Sequence, residues 1–286
     1  MLAIIEQIAS LLVTAYPKDE AVSLAWWIVE EETGLSRTQI ICGHKDTTFS
    51  PHMQEIVSRL LHFEPIQYIF GHTLWCGLDI KVTPATLIPR PETAELVERI
   101  NDQMTNDKLI NVIDIGTGTG CIAIALKKAH PQWHVTGIDI SSNSIEVAKE
   151  NAIHNHVEVE FKVVDIFDKI DETCNLQLSS YNVIVSNPPY IRESEKCSMR
   201  ANVLDHEPAT ALFVPDDDPL IFYRRIAKLF SRTTYSSLPT PKYLFFEINE
   251  TFADELACML DDLGYSDIII THDIYGKPRI IESRMA

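Results

Sequence analysis

The feature that most constrains this chain's fold is an apolar strand that runs directly into a glycine-rich turn. Residues 111–115 read Asn-Val-Ile-Asp-Ile, and a helical pattern begins at Cys121. The turn between them consists of Gly116, Thr117, Gly118, Thr119 and Gly120. Glycines permit positive φ and let the backbone pass close to a ligand, and the N-terminus of the following helix offers free N–H groups. The run therefore predicts a nucleotide-type binding loop in an α/β domain.

From about residue 109, short apolar runs alternate with helical patterns. This alternation predicts a parallel sheet whose strands are joined by right-handed helical crossovers. We predict seven strands, at Leu109–Ile115, His134–Ile138, Val157–Val164, Tyr181–Ser186, Tyr243–Ile248, Asp267–Thr271 and Arg279–Glu282. We predict crossover helices at Cys121–Ala129, Ser144–His154, Pro219–Phe230 and Phe252–Leu263. The polar segments 168–180 and 231–241 are expected to be surface loops.

The first part of the chain has a different pattern. Apolar residues recur at spacings of three and four over residues 1–64, which predicts a small helical domain. The short β-like runs Tyr68–Phe70 and Leu78–Val82 then predict a linker or hairpin over residues 65–83. Residues 84–286 form the predicted α/β domain.

Charge limits the classes of partner. The chain has 24 Lys and Arg against 41 Asp and Glu, a formal net charge of −17. Such an excess of carboxylates repels nucleic acid and anionic membranes, because non-specific affinity for phosphates depends on Lys and Arg. The N-terminal segment lacks the early basic residues of a signal peptide, and no apolar run reaches the roughly 20 residues of a membrane span. We expect a cytoplasmic protein without direct DNA binding or membrane attachment.

The six cysteines are scattered along the chain and form no C-x-x-C pair. No His cluster has the spacing of metal ligands either. We therefore predict no metal site and expect reduced, mostly buried thiols.

Acidic residues follow two further strands at positions suited to one ligand. Asp139 ends the second predicted strand, nineteen positions after the last glycine of the turn, where a carboxylate can accept hydrogen bonds from both ribose hydroxyls. The glycine spacing departs from the G-x-G-x-x-G of dinucleotide-binding proteins. With Asp114, the D-x-G-x-G-x-G pattern resembles motif I of class I S-adenosylmethionine-dependent methyltransferases. In such folds Asp165 and Ile166, after the third strand, face the adenine of S-adenosyl-L-methionine; a glycine-tightened turn with solvated acids is the structural alternative.

A second motif follows the fourth predicted strand and consists of Asn187, Pro188, Pro189 and Tyr190. Parallel sheets bind ligands at the carboxyl ends of their strands, so this segment is expected beside the glycine turn. The prolines keep the Pro188 carbonyl out of a sheet ladder, and the Asn187 side chain supplies a second acceptor. Two acceptors and the Tyr190 ring suit a planar NH2 group of a carboxamide or a base. Because an amide nitrogen is a poor nucleophile, we expect orientation and electrostatics to lower the barrier to methyl transfer; a rigid proline turn is the structural alternative.

With both motifs present, the chain resembles the HemK/PrmC family of N5-glutamine methyltransferases, which modify the Gly-Gly-Gln glutamine of class-1 peptide chain release factors. The resemblance covers nearly the whole chain and extends to Pro65–Gly71, Leu87–Thr93 and Glu207–Leu212. It implies a class I S-adenosylmethionine-dependent methyltransferase with a Rossmann-like seven-stranded sheet. It also implies a small N-terminal helical domain, which we interpret as a substrate-docking domain.

The resemblance also assigns residues. Gly116–Gly120 and Asp139 would hold S-adenosyl-L-methionine, and Asn187–Tyr190 would grip the glutamine amide, with Asn187 also touching the cofactor. Asn187, Pro188 and Tyr190 are the predicted catalytic residues. For Arg90 and Glu92, shaping of the substrate entrance and an interdomain salt bridge both remain open. Departures from the family pattern occur at Ala94, Ile166, Pro215–Pro219 and Pro239–Lys242.

Three other functions remain open. N-P-P-Y also serves N6-adenine nucleic-acid methyltransferases, although the net charge of −17 disfavours a DNA reader. A glutamine methyltransferase acting on a ribosomal protein would need the same amide grip. A module that binds the cofactor without chemistry is disfavoured by the intact Asn187 and Tyr190.

Overall fold

The structure, a computed structural model, describes residues 1–43, 48–104, 109–168, 180–231 and 242–285. The chain divides into two compact units, one of Met1–Gly71 with Arg200–His206 and one of His72–Met199 with Glu207–Ala286. The division therefore falls at Gly71, after the limit predicted at residue 64. The 65–83 segment is shared between the two units, and a short stretch from the second half of the chain belongs to the helical unit.

The first unit is helical. Its helices are α1 (Leu2–Leu12), α2 (Lys18–Thr33), α3 (Arg37–Ile41), α4 (Pro51–Leu61), α5 (Ile66–Phe70) and a single α-helical turn of four residues at Ala201–Leu204. Helix α4 begins where the Ser50 hydroxyl accepts a hydrogen bond from the Met53 N–H (3.0 Å), and α2 ends at Gly34, which adopts a φ of 64°. The apolar faces meet in one core, whose most buried members include Ile8, Leu12, Ala25, Ile28, Ile56 and Leu60.

The strand-like interpretation of Tyr68–Phe70 is wrong, because these residues form the end of helix α5. The helix starts after Pro65, whose carbonyl accepts from the Tyr68 N–H (2.9 Å), and stops at Gly71 with a φ of 80°. A Pro before and a left-handed Gly after a short apolar run are helix boundaries, and they outweigh the β propensity of the aromatic residues.

The second unit is built on a seven-stranded sheet. After the hairpin strands β1 (His72–Trp75) and β2 (Leu78–Lys81), its strands are β3 (Asn111–Ile115), β4 (His134–Asp139), β5 (Glu160–Val163), β6 (Val183–Ser186), β9 (Lys242–Glu247), β10 (Ser266–His272) and β11 (Pro278–Met285). The order across the sheet is β10-β11-β9-β6-β3-β4-β5. Each of the seven strands predicted for this sheet is present, with ends shifted by up to three residues. A separate pair, β7 (Ile191–Arg192) and β8 (Phe213–Val214), is parallel.

One strand departs from the predicted parallel arrangement. Strand β11 is antiparallel to both β10 and β9. The connection from β10 is a tight turn in which the Gly276 N–H donates to the Asp273 carbonyl (2.9 Å), and so short a connection can only reverse the chain.

Helices cover the sheet. They are α6 (Pro91–Gln103), α7 (Cys121–Ala129), α8 (Ser142–His154), α9 (Ile221–Ser231) and α10 (Ala253–Asp262), with short 3-10 turns at Glu193–Ser198, Ala209–Ala211 and Glu250–Phe252. Four of these helices match the predicted crossovers. Helix α6 was not predicted, although Pro91 at its first position and the buried Leu96, Val97 and Ile100 are helix signals. The predicted loops at 168–180 and 231–241 lie almost entirely outside the described residues.

The expectation of mostly buried thiols is wrong for the cysteines in the described ranges. Cys121 is buried, whereas Cys42, Cys76, Cys197 and Cys258 are exposed and all five are free. The exposed cysteines lie at helix ends, on a polar helix face or in a turn. They are therefore not part of a periodic apolar pattern that would bury them. Cys174 lies outside the described residues.

Candidate active site

The loops that follow β3, β4 and β6 lie side by side at one edge of the sheet. In the parallel registers, Ile115 pairs with Ile138 on one side and with Ser186 on the other. The glycine turn after β3 is therefore flanked by Asp139, at the end of β4, and by Asn187, directly after β6. The sheet brings together the two motifs predicted from the sequence.

The three glycines of the turn all adopt left-handed backbone conformations. Gly116, Gly118 and Gly120 have φ values of 72°, 54° and 80°. A Cβ placed on Gly116 or Gly118 would meet no heavy atom within 4 Å, whereas a Cβ on Gly120 would lie 3.1 Å from side-chain atoms of Ile124 and two other residues. The first two glycines thus leave an open cradle beside the backbone, and the third allows α7 to pack.

The two threonines of the turn point inward. Thr117 and Thr119 are 4% and 2% exposed. The Thr117 hydroxyl donates to Asp114 Oδ2 at 2.6 Å, which fixes the turn on the end of β3. Their side chains are therefore packed inside the protein, and they can contact a ligand through their backbone groups.

Asp114 is a buried carboxyl directly beneath the turn. It is 0% exposed, and burial raises its pKa from 3.8 to about 7, although hydrogen bonding from the Thr117 hydroxyl opposes this rise. The nearby Ala123 N–H also opposes the rise. Asp114 Oδ1 nevertheless has no hydrogen-bond partner among the described residues. Asp114 therefore exchanges its proton in the neutral pH range.

Asp139 braces the turn from the neighbouring strand. Its Oδ2 accepts from the Gly118 N–H and its Oδ1 from the Ser141 N–H, each at 2.9 Å. Burial raises its pKa, while these backbone hydrogen bonds oppose the rise. Each carboxylate oxygen can accept a further hydrogen bond, so the side chain can bind two hydroxyls of a ligand while it holds the loop.

Asp165 and Ile166 follow β5 at the same edge of the sheet. Asp165 is half-buried, and its Oδ1 accepts from the Phe167 N–H at 2.8 Å. Ile166 is 8% exposed and belongs to the core of the unit. A ligand could reach Asp165 more readily than Ile166.

The hairpin β1–β2 supports the turn from outside. The buried Asn151 of α8 accepts from the Lys81 N–H (2.7 Å) and donates to the Lys81 carbonyl (3.0 Å). Its Nδ2 also donates to the Thr119 carbonyl at 2.9 Å. One side-chain amide therefore links the hairpin to the glycine turn.

The Asn187–Tyr190 segment is anchored at both ends. The Ser186 hydroxyl donates to the Ile115 carbonyl (2.6 Å), and Asn249 Nδ2 donates to the Tyr190 carbonyl (3.1 Å). Pro188 is buried, and the other three residues are half-buried. Among the described residues, none donates a hydrogen bond to Asn187 Oδ1 or to the Pro188 carbonyl. Within the described ranges both acceptors therefore lack a donor, as acceptors reserved for a ligand would.

A buried carboxylate behind this segment was missed in the sequence. Glu247, the last residue of β9, is 2% exposed and accepts from the Thr93 hydroxyl (2.6 Å) and the Tyr190 hydroxyl (3.1 Å). Asn187 Nδ2 in turn donates to Thr93 Oγ1 at 3.2 Å. Burial raises the pKa of Glu247, and burial together with the negative charge of Glu247 raises that of Tyr190. Glu247 could have been found in the sequence, because it ends the apolar run of a strand as Asp139 does.

Two of the segments singled out in the sequence contact each other. Arg90 forms an ion pair with the buried Glu207, whose other oxygen accepts from the Ile88 N–H at 3.2 Å. Trp75 Nε1 donates to the Arg90 carbonyl at 2.8 Å. Arg90 and Glu207 lie in the same compact unit, so the interdomain interpretation of Arg90 is wrong.

Within the described ranges, no three or more His, Cys, Asp or Glu side chains are arranged to hold a metal ion. Within the same ranges, no helix is both long enough and apolar enough to cross a membrane.

Comparison with known families identifies both parts of the chain. Residues 3–71 match the PrmC N-terminal domain, and residues 106–232 match a family described as a methyltransferase domain. The fold is similar to that of the hMettl16 catalytic domain in complex with the MAT2A 3'UTR hairpin 6, with a TM-score of 0.56 and 19% identity over 84% of each chain. The predicted class I methyltransferase fold is thus confirmed.

Curated relatives match over nearly the whole length. The release factor glutamine methyltransferase of Bacteroides thetaiotaomicron is 42% identical over 270 residues, which are 93% of each chain. The protein of the same name from Flavobacterium psychrophilum is 37% identical over 96% of each chain. The chain therefore belongs to the family of release factor glutamine methyltransferases.

Proposed function

We propose that this enzyme transfers a methyl group from S-adenosyl-L-methionine to the side-chain amide nitrogen of the glutamine in the Gly-Gly-Gln motif of class-1 peptide chain release factors. The observation that carries the proposal is the pair of free acceptors, Asn187 Oδ1 and the Pro188 carbonyl, directly beside the open glycine turn. The release factor as substrate is supported by the names of relatives that match over 93% and 96% of the chain.

The residues at the sheet edge suit this cofactor. The cradle at Gly116 and Gly118 gives a ligand access to the backbone, and Asp139 can accept hydrogen bonds from ribose hydroxyls while it holds the turn. Asp165 and Ile166 are proposed to contact the adenine, Asp165 being the more accessible of the two, and the backbone of Thr117, Thr119 and Gly120 completes the loop. When bound, the cofactor supplies an electrophilic methyl group on a positively charged sulfur.

The reaction requires an amide nitrogen to act as a nucleophile. Its lone pair is delocalised into the carbonyl, so the free amide hardly reacts. Asn187 Oδ1 and the Pro188 carbonyl would accept one N–H each, and the Tyr190 ring would lie against the flat face of the group. This grip aims the nitrogen at the methyl group and stabilises the positive charge that develops on it. A bond from the nitrogen to the methyl carbon would form as the S–CH3 bond breaks with its electron pair left on sulfur, giving S-adenosylhomocysteine, and the nitrogen would release one proton to solvent.

The helical unit is proposed to dock the protein substrate. A Gly-Gly-Gln loop offers few contacts apart from the glutamine, so a folded release factor needs a second surface, of about 600 Å² or more on each partner. The match of residues 3–71 to the PrmC N-terminal domain supports this role. A translation factor as substrate also favours action in the cytoplasm.

The experiment is a mapping of the transferred methyl group. The protein is incubated with labelled S-adenosylmethionine and, in separate reactions, with a purified release factor, a ribosomal protein and adenine-containing DNA. We expect label on the Gly-Gly-Gln glutamine of the release factor, located by mass spectrometry. Label confined to the ribosomal protein or to adenine would replace the proposed substrate with one of the two rival classes.

A further inference from the structure

Two hydrogen bonds connect Asn187 through Thr93 to Glu247, and in both of them the donor lies on the Asn187 side. Glu247 accepts at both carboxylate oxygens, one from Thr93 and one from Tyr190. The Thr93 hydroxyl has a single hydrogen, which is used in the 2.6 Å bond to Glu247. Its oxygen can therefore only accept from Asn187, and the partner that it meets at 3.2 Å is the NH2 end of the amide.

This direction decides whether the oxygen or the NH2 group of the Asn187 side chain faces the substrate. The two ends of an asparagine amide have nearly the same shape, so hydrogen-bond partners determine the orientation. A flipped Asn187 would place two acceptor oxygens against each other, because the Thr93 hydrogen points to Glu247. The flipped amide would also present donors to the substrate NH2 group, which needs acceptors.

The carboxylate that sets the direction is itself held firmly. Glu247 is buried at the end of β9, and its backbone carbonyl accepts from the Tyr223 hydroxyl at 3.0 Å. Thr93 is 3% exposed and lies in the first turn of α6. Both groups are therefore part of the rigid framework of the unit, whereas Asn187 lies in a loop.

We propose that Thr93 and Glu247 are positioning residues, which fix Asn187 with its carbonyl oxygen toward the glutamine amide. This inference rests on the proposed function, because it assigns Asn187 Oδ1 to the substrate. It also gives a role to Thr93, the last residue of the Leu87–Thr93 segment. Neither residue contacts the reacting atoms; both act through Asn187.

The test compares two substitutions of Thr93. Thr93→Val keeps the shape but removes the hydroxyl, and Thr93→Ser keeps the hydroxyl. With a release factor as substrate and saturating S-adenosylmethionine, we expect Thr93→Val to lower kcat by about tenfold or more with little change in KM, and Thr93→Ser to stay within about threefold of wild type. Thermal unfolding and the calorimetric affinity for S-adenosylhomocysteine serve as controls and should change little.

A double-mutant cycle separates positioning from general damage. In an Asn187→Ala background, Thr93→Val should cause no further loss of kcat, because the residue through which it acts is gone. If Thr93→Val does not fold, Glu247→Met takes its place, since it keeps the length of the side chain but removes the acceptor of the Thr93 hydroxyl, and we expect a similar fall in kcat.

Three results would overturn the inference: equal kcat for Thr93→Val and Thr93→Ser, a full further loss in the Asn187→Ala background, or normal kcat for a folded Glu247→Met. The failure of the proposed function looks different. In that case the wild-type protein itself would transfer no methyl group to the release factor.

Discussion

Replacing Asp114 by Asn should change the way in which the stability of this protein depends on pH. Asp114 is fully buried, and burial raises its folded pKa to about 7 from 3.8. Between these two values the folded state holds a proton that the unfolded state has released. This stabilising effect is therefore complete below pH 3.8 and is lost as the pH rises through 7. At 1.36 kcal/mol per pH unit, the wild type loses about 2.5 kcal/mol between pH 5 and pH 8 through this carboxyl.

The side-chain amide introduced by Asp114→Asn cannot titrate, so the variant lacks this loss. We expect the free energy of unfolding of Asp114→Asn, relative to wild type, to rise by about 2.5 kcal/mol from pH 5 to pH 8. Urea unfolding without cofactor at both pH values measures it, and Asp262→Asn, which removes an exposed carboxyl at the end of α10, is the matched control. Parallel stability curves for wild type and Asp114→Asn would refute the argument that a buried carboxyl beneath the turn titrates near neutrality.

Three further predictions concern the cofactor loop and the helical unit. Asp139→Ala should weaken S-adenosylmethionine binding by about 10- to 150-fold in calorimetry, because charge-assisted hydrogen bonds worth about 1.5 to 3 kcal/mol are lost; unchanged affinity would contradict the ribose assignment. Gly137→Ala should cost about 1 to 3 kcal/mol of unfolding free energy, since the new Cβ would lie 2.6 Å from the Phe161 ring and 2.8 Å from Thr117 Oγ1; a neutral effect in urea unfolding would contradict it. Removal of residues 1–71 should preserve cofactor binding but abolish most activity on folded release factor, provided that thermal unfolding shows a folded product; full activity would contradict the docking role.

Local patterns predicted the sheet and its main motifs well. The strand before Gly116 and the acid at Asp139 could be recognised because apolar runs ended in turn residues or carboxylates, and the parallel sheet then required both to meet at one edge. Strand β11 was found, but its antiparallel direction was missed. The predicted strands leave only seven residues between Thr271 and Arg279, too few for the crossover of a parallel pair, so the connection length already indicated the antiparallel direction.

The contacts that were missed join segments distant in sequence. Thr93 and Glu247 are separated by 154 residues, and Arg90 and Glu207 by 117. Each residue taken alone reads as a helix cap or a surface charge, because the cost of burying a carboxylate and the partners that offset it become visible only in the folded chain. The family segments around these residues were recognisable, but their physical role was not.

The most direct test of the account is the rate of methyl transfer by Asn187→Ala with a release factor substrate and saturating S-adenosylmethionine. Asn187 Oδ1 is one of the two acceptors proposed to bind the substrate amide, and its loss should lower the rate by about 100-fold or more. Thermal unfolding should stay close to that of wild type, since the half-buried side chain makes one hydrogen bond to the described residues, to Thr93. A folded Asn187→Ala variant that methylates the Gly-Gly-Gln glutamine at the wild-type rate would contradict the claim that this loop carries the reaction.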